Sequence, residues 1–422
     1  MGTGLKALIA ALIILIFTCV AAVAAENKSS WKIGTPITTY YQGSGSIEQM
    51  AAGGFNLIMG GENEFEPASK YHLRVMLTTG ELWRVENIIG DKAKTAAVDA
   101  LIERVKNHPA MYSYFIVDEP SSTRFEELGK LVSHIREKDP AHLAWINLFP
   151  TNATNDQLGT KGDVVQAYRE YLRQFIDKVK PGMLSYDHYH FNADCTDGNQ
   201  YFLNLALVRE AALSSNIPFM NCVQACTWSP GMRAPSKDEM RWLNYTSLAY
   251  GAQALMYFVY NYEPFYTEAD ERGVDPGGMM RPDGSTTLQY RAAQELNPQF
   301  VAIATQVQPL RSLGAYHVGR VPLGAVALPD KAPFRLDFSV KNMSRMPEEG
   351  VLLGYFGKPG KSAKPTHVLV VNLNHRAAVT TTVVGPSQIS QFDAVTGKWT
   401  PTESSRLIIA LPPGGGRLLR VE

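Results

Sequence analysis

The sequence predicts a (β/α)8 barrel followed by an antiparallel β-sandwich, and three observations support this fold class. Between residue 31 and about residue 309, short apolar runs alternate with longer amphipathic segments, as in the βα units of a parallel sheet. Eight such runs occur, and no glycine-rich dinucleotide or phosphate motif follows the first of them. Beyond about residue 314, helical periodicity gives way to short alternating runs separated by turn residues. We expect a barrel at 31–312 and a sandwich domain at 313–422.

Each predicted element rests on its own pattern of apolar residues. The runs that are short, apolar and rich in β-branched or aromatic residues predict barrel strands at 32–40, 55–59, 73–78, 111–118, 143–148, 183–186, 218–225 and 254–259. The amphipathic segments predict helices at 46–52, 92–106, 125–137, 163–179, 203–214, 239–250 and 287–310. Alternating segments predict sandwich strands at 335–340, 351–356, 367–372, 378–383, 389–393 and 417–421.

Composition and the N-terminal segment indicate an exported protein. The 40 basic residues balance the 40 acidic ones, so no overall charge favours nucleic acid or anionic membranes. Residues 1–25 resemble a signal peptide, with Lys6, an apolar core at 7–20 and small residues at 22–24. The alternative is that this segment is retained as an anchor. We expect a secreted or periplasmic protein without stable membrane insertion after cleavage; its oligomeric state is not predicted.

Three cysteines remain after such a cleavage, namely Cys195, Cys222 and Cys226. An odd number allows at most one disulfide and leaves one thiol over. No pair of histidines accompanies them, so the sequence predicts neither a metal site nor a cofactor. These cysteines are expected to be core residues or to form one local bridge.

Polar and aromatic residues recur at the carboxyl ends of nearly all the predicted barrel strands, which is where barrel enzymes place their active sites. In chain order the candidates are Tyr40 with Tyr41, Glu62, Asp118, Glu119, Asn147, Tyr186, Asp187, His188, Tyr189, Gln224, Trp228, Tyr260 and Glu263. Any one of them could be an ordinary loop residue. Their recurrence on strand after strand indicates a functional site on this face of the barrel.

The fourth predicted strand carries the strongest signal. Six of its first seven residues are apolar or aromatic, which indicates burial on both faces, and it ends in the adjacent acids Asp118 and Glu119 followed by a proline. Two buried carboxylates are unfavourable unless they are paired, hydrogen-bonded or functional. Helix capping is the alternative role, either by Asp118 or by Ser121 with Ser122. Because one cap does not require two acids, we favour a catalytic role.

The residue types at the strand ends point to carbohydrate chemistry. No nucleophilic serine elbow is present, and the histidines do not form a convincing metal set. Aromatic rings stack on sugars, amides and carboxylates bind hydroxyl groups, and two carboxyl groups can cleave a glycosidic bond. Because Asp118 and Glu119 are adjacent, the pKa of one of the two should be raised, as a general acid requires near neutral pH.

At this point the chain resembles the large clan of (β/α)8 glycoside hydrolases that includes cellulases and β-galactosidases. These enzymes carry the acid/base glutamate in an Asn-Glu-Pro motif at the end of strand four, and the matching segment here is Asp118-Glu119-Pro120. The resemblance therefore implies that Glu119 is the general acid. The segments at 247–258 and 283–290 are similar to the region around strand eight of β-galactosidase-like barrels, and the tail at 392–398 is similar to their β-sandwich.

One position departs from this family. The clan has its nucleophilic glutamate at the end of strand seven, where this chain has Gln224. Asp187 is the best replacement, as base or nucleophile, and Glu263 is the second choice. A further arrangement, which resembles α-galactosidase-like barrels, makes Asp118 the nucleophile and Asp187 the acid.

The sequence thus predicts a glycoside hydrolase that acts on a polysaccharide or oligosaccharide. Glu119 is the expected acid, Asp187 the base or nucleophile, and Asp118 a partner that tunes Glu119. The sugar-binding residues are expected to be Tyr40, Glu62, Asn147, Tyr186, His188, Tyr189, Gln224, Trp228, Tyr260 and Glu263. Two other classes of function stay open: a glycan-binding protein on a barrel that has lost catalysis, and a polysaccharide lyase with Tyr189 or His188 as base.

Overall fold

The computed structural model describes residues 30–43, 45–82, 87–261, 269–270, 272–338, 349–360 and 362–421. The predicted signal segment and Glu263 lie outside these residues. The barrel strands are β1 (Ile37–Tyr41), β2 (Leu57–Gly60), β3 (Arg74–Leu77), β4 (Met111–Asp118), β5 (Leu143–Leu148), β6 (Leu184–His188), β7 (Phe219–Gln224) and β8 (Ala254–Phe258). The helices are α1 (Ile47–Ala52), α2 (Phe65–Lys70), α3 (Lys92–Val105), α4 (Phe125–Lys138), α5 (Asn155–Leu158), α6 (Val164–Val179), α7 (Tyr201–Ser215), α8 (Lys237–Tyr250) and α9 (Leu288–Val307).

The eight strands form one parallel sheet in the order β1-β8-β7-β6-β5-β4-β3-β2. The sheet is nearly closed: β1 and β2 lie side by side, and the Asn56 N–H before β2 donates to the Thr38 carbonyl at 3.1 Å. All carboxyl ends therefore meet at one mouth of the barrel. The structure confirms the predicted barrel, and the predicted strand at 143–148 matches β5 at both ends.

Two apolar layers fix which side chains face the mouth. One cluster fills the barrel interior with residues such as Ile37, Phe115, Trp145 and Met256. A larger cluster packs the outer faces of the strands against the helices. Since side chains alternate along a strand, each strand contributes its last inward-facing residue to the mouth.

A bulge in β4 brings an acid into this mouth. Phe115 pairs with Trp145 of β5, but Val117 already pairs with Ile146, so β4 holds one extra residue here. Asp118 consequently lies opposite Asn147. Without the bulge, Phe115 and Asp118 would face opposite sides of the sheet, because three positions separate them. The bulge lets both face the interior.

A mostly antiparallel second domain follows the barrel, as expected. Its strands are β9 (Arg311–Val318), β10 (Val326–Ala327), β11 (Arg335–Asp337), β12 (Val351–Gly357), β13 (His367–Asn372), β14 (Val379–Val384), β15 (Ile389–Asp393), β16 (Lys398–Pro401), β17 (Arg406–Leu411) and β18 (Gly416–Val421). They form a seven-stranded and a three-stranded sheet around their own apolar core. Four of these strands, β9, β10, β16 and β17, were not predicted.

The two domains share hydrogen bonds through α8. The Trp242 indole N–H donates to the Leu373 carbonyl at 3.0 Å, and the Tyr250 hydroxyl bonds the His317 ring at 3.1 Å. Cys222 and Cys226 are buried and Cys195 is exposed, each as a free thiol, so no local bridge joins them. Within the described part of the chain, no helix is long and apolar enough to span a bilayer.

Candidate active site

Three neighbouring strands bring two carboxyl groups and an amide together at the barrel mouth. Asp118 ends β4, Asn147 lies on β5, and Asp187 lies on β6. The Asn147 Nδ2 atom donates to Asp118 Oδ1 at 3.0 Å and to Asp187 Oδ1 at 3.1 Å. The Ser185 hydroxyl donates to Asn147 Oδ1 at 2.8 Å and so orients the amide. Asn147 therefore bridges the two acids.

This bridge sets the distance between the two carboxyl groups. Both bonds start from one nitrogen and are 3.0 and 3.1 Å long, so the two accepting oxygens cannot be farther apart than those lengths combined. With the two N–H bonds of an amide about 120° apart, the oxygens lie about 5 Å from each other. Retaining glycosidases hold their carboxyl groups at about this separation, whereas inverting ones need roughly 6.5–9.5 Å.

Glu119 joins the site through an unusual backbone conformation. Its φ is +46°, a left-handed value that non-glycine residues rarely adopt and that costs on the order of 1 kcal/mol. Its N–H donates to the Asn147 carbonyl at 2.9 Å, which holds this conformation in place. The half-buried side chain reaches the Asp187 carboxyl and hydrogen-bonds to it. The strained backbone thus turns a second acid of β4 toward the mouth.

Burial and repulsion between neighbouring carboxylates keep Glu119 and Asp187 protonated at pH values well above those at which exposed carboxyl groups ionise. Desolvation and the charge of Asp118 raise the pKa of Glu119 to about 7, and the hydrogen bond from Asp187 partly opposes this rise. Desolvation, followed by the charges of Glu119 and Asp118, raises the pKa of Asp187 well above its ordinary value. Asp187 therefore keeps its proton when Glu119 ionises and donates it in the hydrogen bond between them.

Asp118 differs from these two acids because solvent reaches it. Desolvation by the surrounding protein raises its pKa, while hydrogen bonds from Asn147 and Tyr41 lower it. The residue is nevertheless exposed at the barrel mouth, and that access to water limits the effect of desolvation. Burial raises the pKa of the Tyr41 hydroxyl, which stays protonated and donates to Asp118. Of the three acids, Asp118 is therefore the one whose charged form solvent favours most.

Aromatic rings border the acids on the side of β6 to β8. The ring centroid of Tyr189 lies 5.2 Å from that of Phe258 and 5.5 Å from that of Trp228. Phe258 also stacks on Tyr41 at 5.7 Å. Trp228 is 40 % exposed, an unusual position for so large an apolar ring. Such a row of rings suits stacking on a sugar.

Several predicted sugar-binding residues lie away from the mouth. Tyr40 and Tyr260 are buried between the barrel and its helices, and the Tyr40 hydroxyl contacts the Met50 sulfur. Tyr186 is completely buried in the same layer. His188 bonds the Asn204 side chain behind β6 at 3.0 Å, and burial lowers its pKa to about 4. Tyr186, His188 and Tyr260 therefore do not face the barrel mouth, contrary to the prediction. Tyr40 also packs behind the barrel interior, but it lines the cavity over the ends of β1 to β3, so its contact with a sugar stays a prediction.

Two further predictions are also corrected. Gln224 is buried, and its amide is occupied by backbone groups: it accepts from the N–H groups of His190 and Phe191 and donates to the carbonyls of Phe191 and Arg233. It holds the loop after β6 in place and contacts no open space. Glu62 forms an exposed ion pair with Arg104 at 2.7 Å, outside the mouth.

Sequence reasoning also missed residues that the structure brings into the site. Tyr41 was named beside Tyr40 as a candidate but was left out of the expected sugar-binding set, although it is Tyr41 that packs against the interior cluster and hydrogen-bonds to Asp118. Ser185 and Phe258 gave no signal of their own. The capping alternative is wrong as well: neither Asp118 nor Ser121 caps the turn Ser122–Arg124 with its side chain. Among the described residues, no cluster of acids, histidines or cysteines has the arrangement of a metal site.

Solved structures with the same architecture are glycoside hydrolases. One is a catalytic mutant of a family 42 β-galactosidase from G. stearothermophilus, with a TM-score of 0.51, 10 % identity, and coverage of 93 % of this chain and 99 % of that one. This chain has the fold of a (β/α)8 glycoside hydrolase. Another such structure is a family 5 glycoside hydrolase from Bacteroides vulgatus, with a TM-score of 0.50, 13 % identity, and coverage of 88 % and 84 %. No family model and no curated protein sequence matches the chain.

The Asn147 bridge leads to a first prediction. We expect Asn147→Ala to lower kcat about 10²-fold, because both carboxyl groups lose the donor that positions them. The hydrogen bond from Asn147 lowers the pKa of Asp118, so its loss should also move the acidic limb of the kcat/KM profile to higher pH. Steady-state kinetics across pH would measure both effects. Ser185→Ala removes only the bond that orients the Asn147 amide, and it should lower kcat less. If the acidic limb of Asn147→Ala stayed at the wild-type pH, Asn147 would not be the donor that lowers the pKa of Asp118.

The raised pKa of Glu119 predicts a gain of stability when its charge is removed. Above pH 7 the folded state holds an ionised, half-buried glutamate, whereas below about pH 4.5 the residue is protonated in both folded and unfolded states. Glu119→Gln should therefore stabilise the protein by roughly 1–2 kcal/mol above pH 7 and by nothing below pH 4.5. Thermal unfolding at pH 4 and pH 8 would measure this, with Glu66→Gln as an exposed control. An equal change in the free energy of unfolding at both pH values would show that the effect does not come from the charge of Glu119.

Proposed function

We propose that this protein is a retaining glycoside hydrolase that cleaves O-glycosidic bonds in a polysaccharide or oligosaccharide. The observation that carries this proposal is the meeting of three carboxyl groups at the barrel mouth, where Asn147 bridges Asp118 and Asp187 and the Glu119 carboxyl contacts that of Asp187. The site supplies the two species that the reaction needs. Asp118 is ionised and open to solvent, and the Glu119–Asp187 pair holds protons near neutral pH.

In the first step, Asp118 attacks the anomeric carbon of the sugar. The bond from that carbon to the glycosidic oxygen breaks, and an ester bond to an Asp118 oxygen forms. Glu119 transfers its proton to the departing oxygen, which leaves as a neutral hydroxyl group. Glu119 fills this role because it is more accessible than Asp187, which is only 5 % exposed.

In the second step, the Glu119 carboxylate takes a proton from a water molecule. The water oxygen attacks the anomeric carbon, the ester bond breaks, and Asp118 leaves as a carboxylate with its charge restored. Asp187 stays protonated throughout and donates a hydrogen bond to the Glu119 carboxylate formed in the first step. It is a positioning residue in this scheme. Asp118 and Asp187 thus differ from the roles first expected, because a buried acid that keeps its proton makes a poor base or nucleophile.

The other two classes of function fit the site less well. A binding protein has no need of a strained backbone at Glu119 or of acids held protonated by burial. A lyase needs a base on the substrate side, but His188 lies behind β6, and burial followed by the charge of Asp187 raises the pKa of Tyr189 well above its ordinary value. A lyase also needs a cation to neutralise a uronate, and no cation contributes to the pKa shifts of the three acids. The hydrolase needs no such cation, and Glu119 supplies its base.

Export is part of the proposal and rests on the sequence alone. The segment at 1–25 combines Lys6, an apolar core and small residues, as signal peptides do. A secreted or periplasmic location would bring the enzyme to polymeric carbohydrates outside the cell. Cell fractionation with N-terminal sequencing of the mature protein would test it, and a retained N-terminus in the membrane fraction would show an anchor instead.

The function itself is tested by incubating the purified mature protein with plant, algal and microbial polysaccharides and with aryl glycosides. Reducing ends and ultraviolet absorbance are recorded together, and the anomer released first is read by proton NMR. We expect new reducing ends without an unsaturated product, and retained configuration. Release of the inverted anomer would refute the Asp118 nucleophile, an ultraviolet-absorbing product would establish a lyase, and binding without turnover would establish a glycan-binding protein.

A further inference from the structure

A cavity of about 340 Å³ lies over the ends of β1, β2 and β3. Its apolar walls include Tyr41, Met59 and Phe115, and its polar side chains include Glu64 and Thr78. Tyr41 belongs to both places, since its hydroxyl donates to Asp118. Tyr41 therefore links the wall of this cavity to the candidate catalytic carboxylate. Another cavity, of about 250 Å³, lies at the opposite end of the barrel between α7, α9 and the sandwich, and none of its lining residues is acidic.

Among the described residues that line the first cavity, the only charged side chain is acidic. None of the described residues that line it is lysine, arginine or histidine, while Glu64 contributes a carboxylate. The groups that shift the pKa values of Asp118, Glu119 and Asp187 include no cation either. Within the described part of the chain, a bound anionic sugar would face this negative charge with no cation among the lining residues to offset it. Juxtaposed like charges in a partly dehydrated site are strongly unfavourable.

Glu64 is held in an orientation suited to a neutral ligand. Its Oε2 accepts the Gly61 N–H at 2.9 Å. Gly60 makes room for it, because a Cβ at that position would lie only 3.2 Å from the same oxygen. This bond uses one carboxylate oxygen and leaves Oε1 to accept from a ligand. Carboxylates commonly bind sugar hydroxyl groups, which are neutral donors.

We propose that this cavity binds an uncharged sugar residue of the substrate and excludes uronic acids and sulfated sugars. The inference rests on the proposed hydrolase function and narrows its substrate class. The sugar ring lies against the Tyr41, Met59 and Phe115 surface, and Glu64 accepts a hydroxyl group of that ring. The anomeric carbon then lies toward Asp118.

A matched set of p-nitrophenyl glycosides tests the charge selectivity. Glucoside, galactoside, mannoside, fucoside and N-acetylglucosaminide are compared with glucuronide and galacturonide. We expect kcat/KM for the best neutral substrate to exceed that of either uronide by at least about 100-fold. A uronide that is cleaved as well as the neutral sugars would overturn the inference while leaving the hydrolase function intact.

The role of Glu64 is tested with a neighbouring control. Glu64→Gln should raise KM for the preferred neutral glycoside about 10-fold with a smaller change in kcat, since it removes a charged acceptor. Glu66→Gln makes the same change two residues away on a side chain that is 83 % exposed, and it should leave KM unchanged. Equal KM values for Glu64→Gln and the wild type would overturn the assignment of Glu64.

A binding measurement separates this inference from catalysis. Calorimetric titration of the Glu119→Gln protein with neutral and acidic monosaccharides does not depend on turnover. Binding of a neutral sugar that Glu64→Gln weakens would support the cavity assignment even if no hydrolysis were found, and the proposed function alone would then fail. Binding of uronic acids alone, or of no sugar at all, would overturn the inference.

Discussion

Asp118→Ala should lower kcat by at least about 10⁴-fold on any glycoside that the wild-type protein cleaves. The substitution removes the only one of the three acids that is both ionised and open to solvent, so no covalent intermediate can form. Global folding should be preserved, because the Asp118 carboxylate lies at the barrel mouth outside the apolar clusters. Single-turnover kinetics with an aryl glycoside would measure the loss of rate, and thermal unfolding would measure the stability of the fold.

Rescue by azide gives this prediction a chemical readout. The cavity left in Asp118→Ala can admit azide, which would attack the anomeric carbon from the face used by the carboxylate. The product should be a glycosyl azide of inverted configuration, formed faster from substrates with good leaving groups. Asp187→Ala serves as the comparison, since Asp187 is buried and protonated. If azide rescued Asp187→Ala and not Asp118→Ala, Asp187 would be the nucleophile, as the sequence first suggested.

The fold could be predicted from the sequence because parallel strands leave long, nearly uninterrupted apolar runs. The run at 111–118 was recovered at both ends, and the runs for β5, β13 and β15 were recovered in the same way. The strands of the second domain were harder to find. β10 has only two residues, and β16 and β17 are largely exposed, so none of them carries a strong apolar pattern.

The candidate site could be predicted only in part, because facing direction depends on register. Strand ends were identified, and Asp118, Glu119, Asn147, Asp187 and Tyr189 do meet there. Choosing between neighbours required knowledge of which residue faces inward. The one-residue bulge in β4 changes which of the residues that follow it face the barrel interior, and the local composition does not predict the bulge.

The substitution of glutamine at the end of β7 shows a second limit. From the sequence alone, Gln224 was known only to occupy the position of the clan's nucleophilic glutamate, and it was expected to bind a sugar. Its role became clear only from its hydrogen bonds to four backbone groups, which belong to His190, Phe191 and Arg233. Three-dimensional contacts of this kind decide whether a polar residue at a strand end serves substrate or structure.

The second large effect concerns Glu119 and should depend on the leaving group. We expect Glu119→Gln to slow cleavage of alkyl glycosides and oligosaccharides about 10³–10⁴-fold, because these leaving groups must be protonated as they depart. Dinitrophenyl glycosides leave as stable anions, so formation of the covalent intermediate should slow only slightly. Pre-steady-state kinetics with both substrate types would separate the steps. Equal losses for both types would show that Glu119 has a structural role only.

The pH profile supplies an independent test of the same residue. Burial and the charge of Asp118 raise the pKa of Glu119 to about 7, so wild-type kcat/KM should fall above that pH as Glu119 ionises. This basic limb should be absent in Glu119→Gln. In Asp187→Ala it should move to higher pH, because the hydrogen bond from Asp187 lowers the pKa of Glu119 and is lost. A limb that stayed in place in both variants would assign the proton donor to another group.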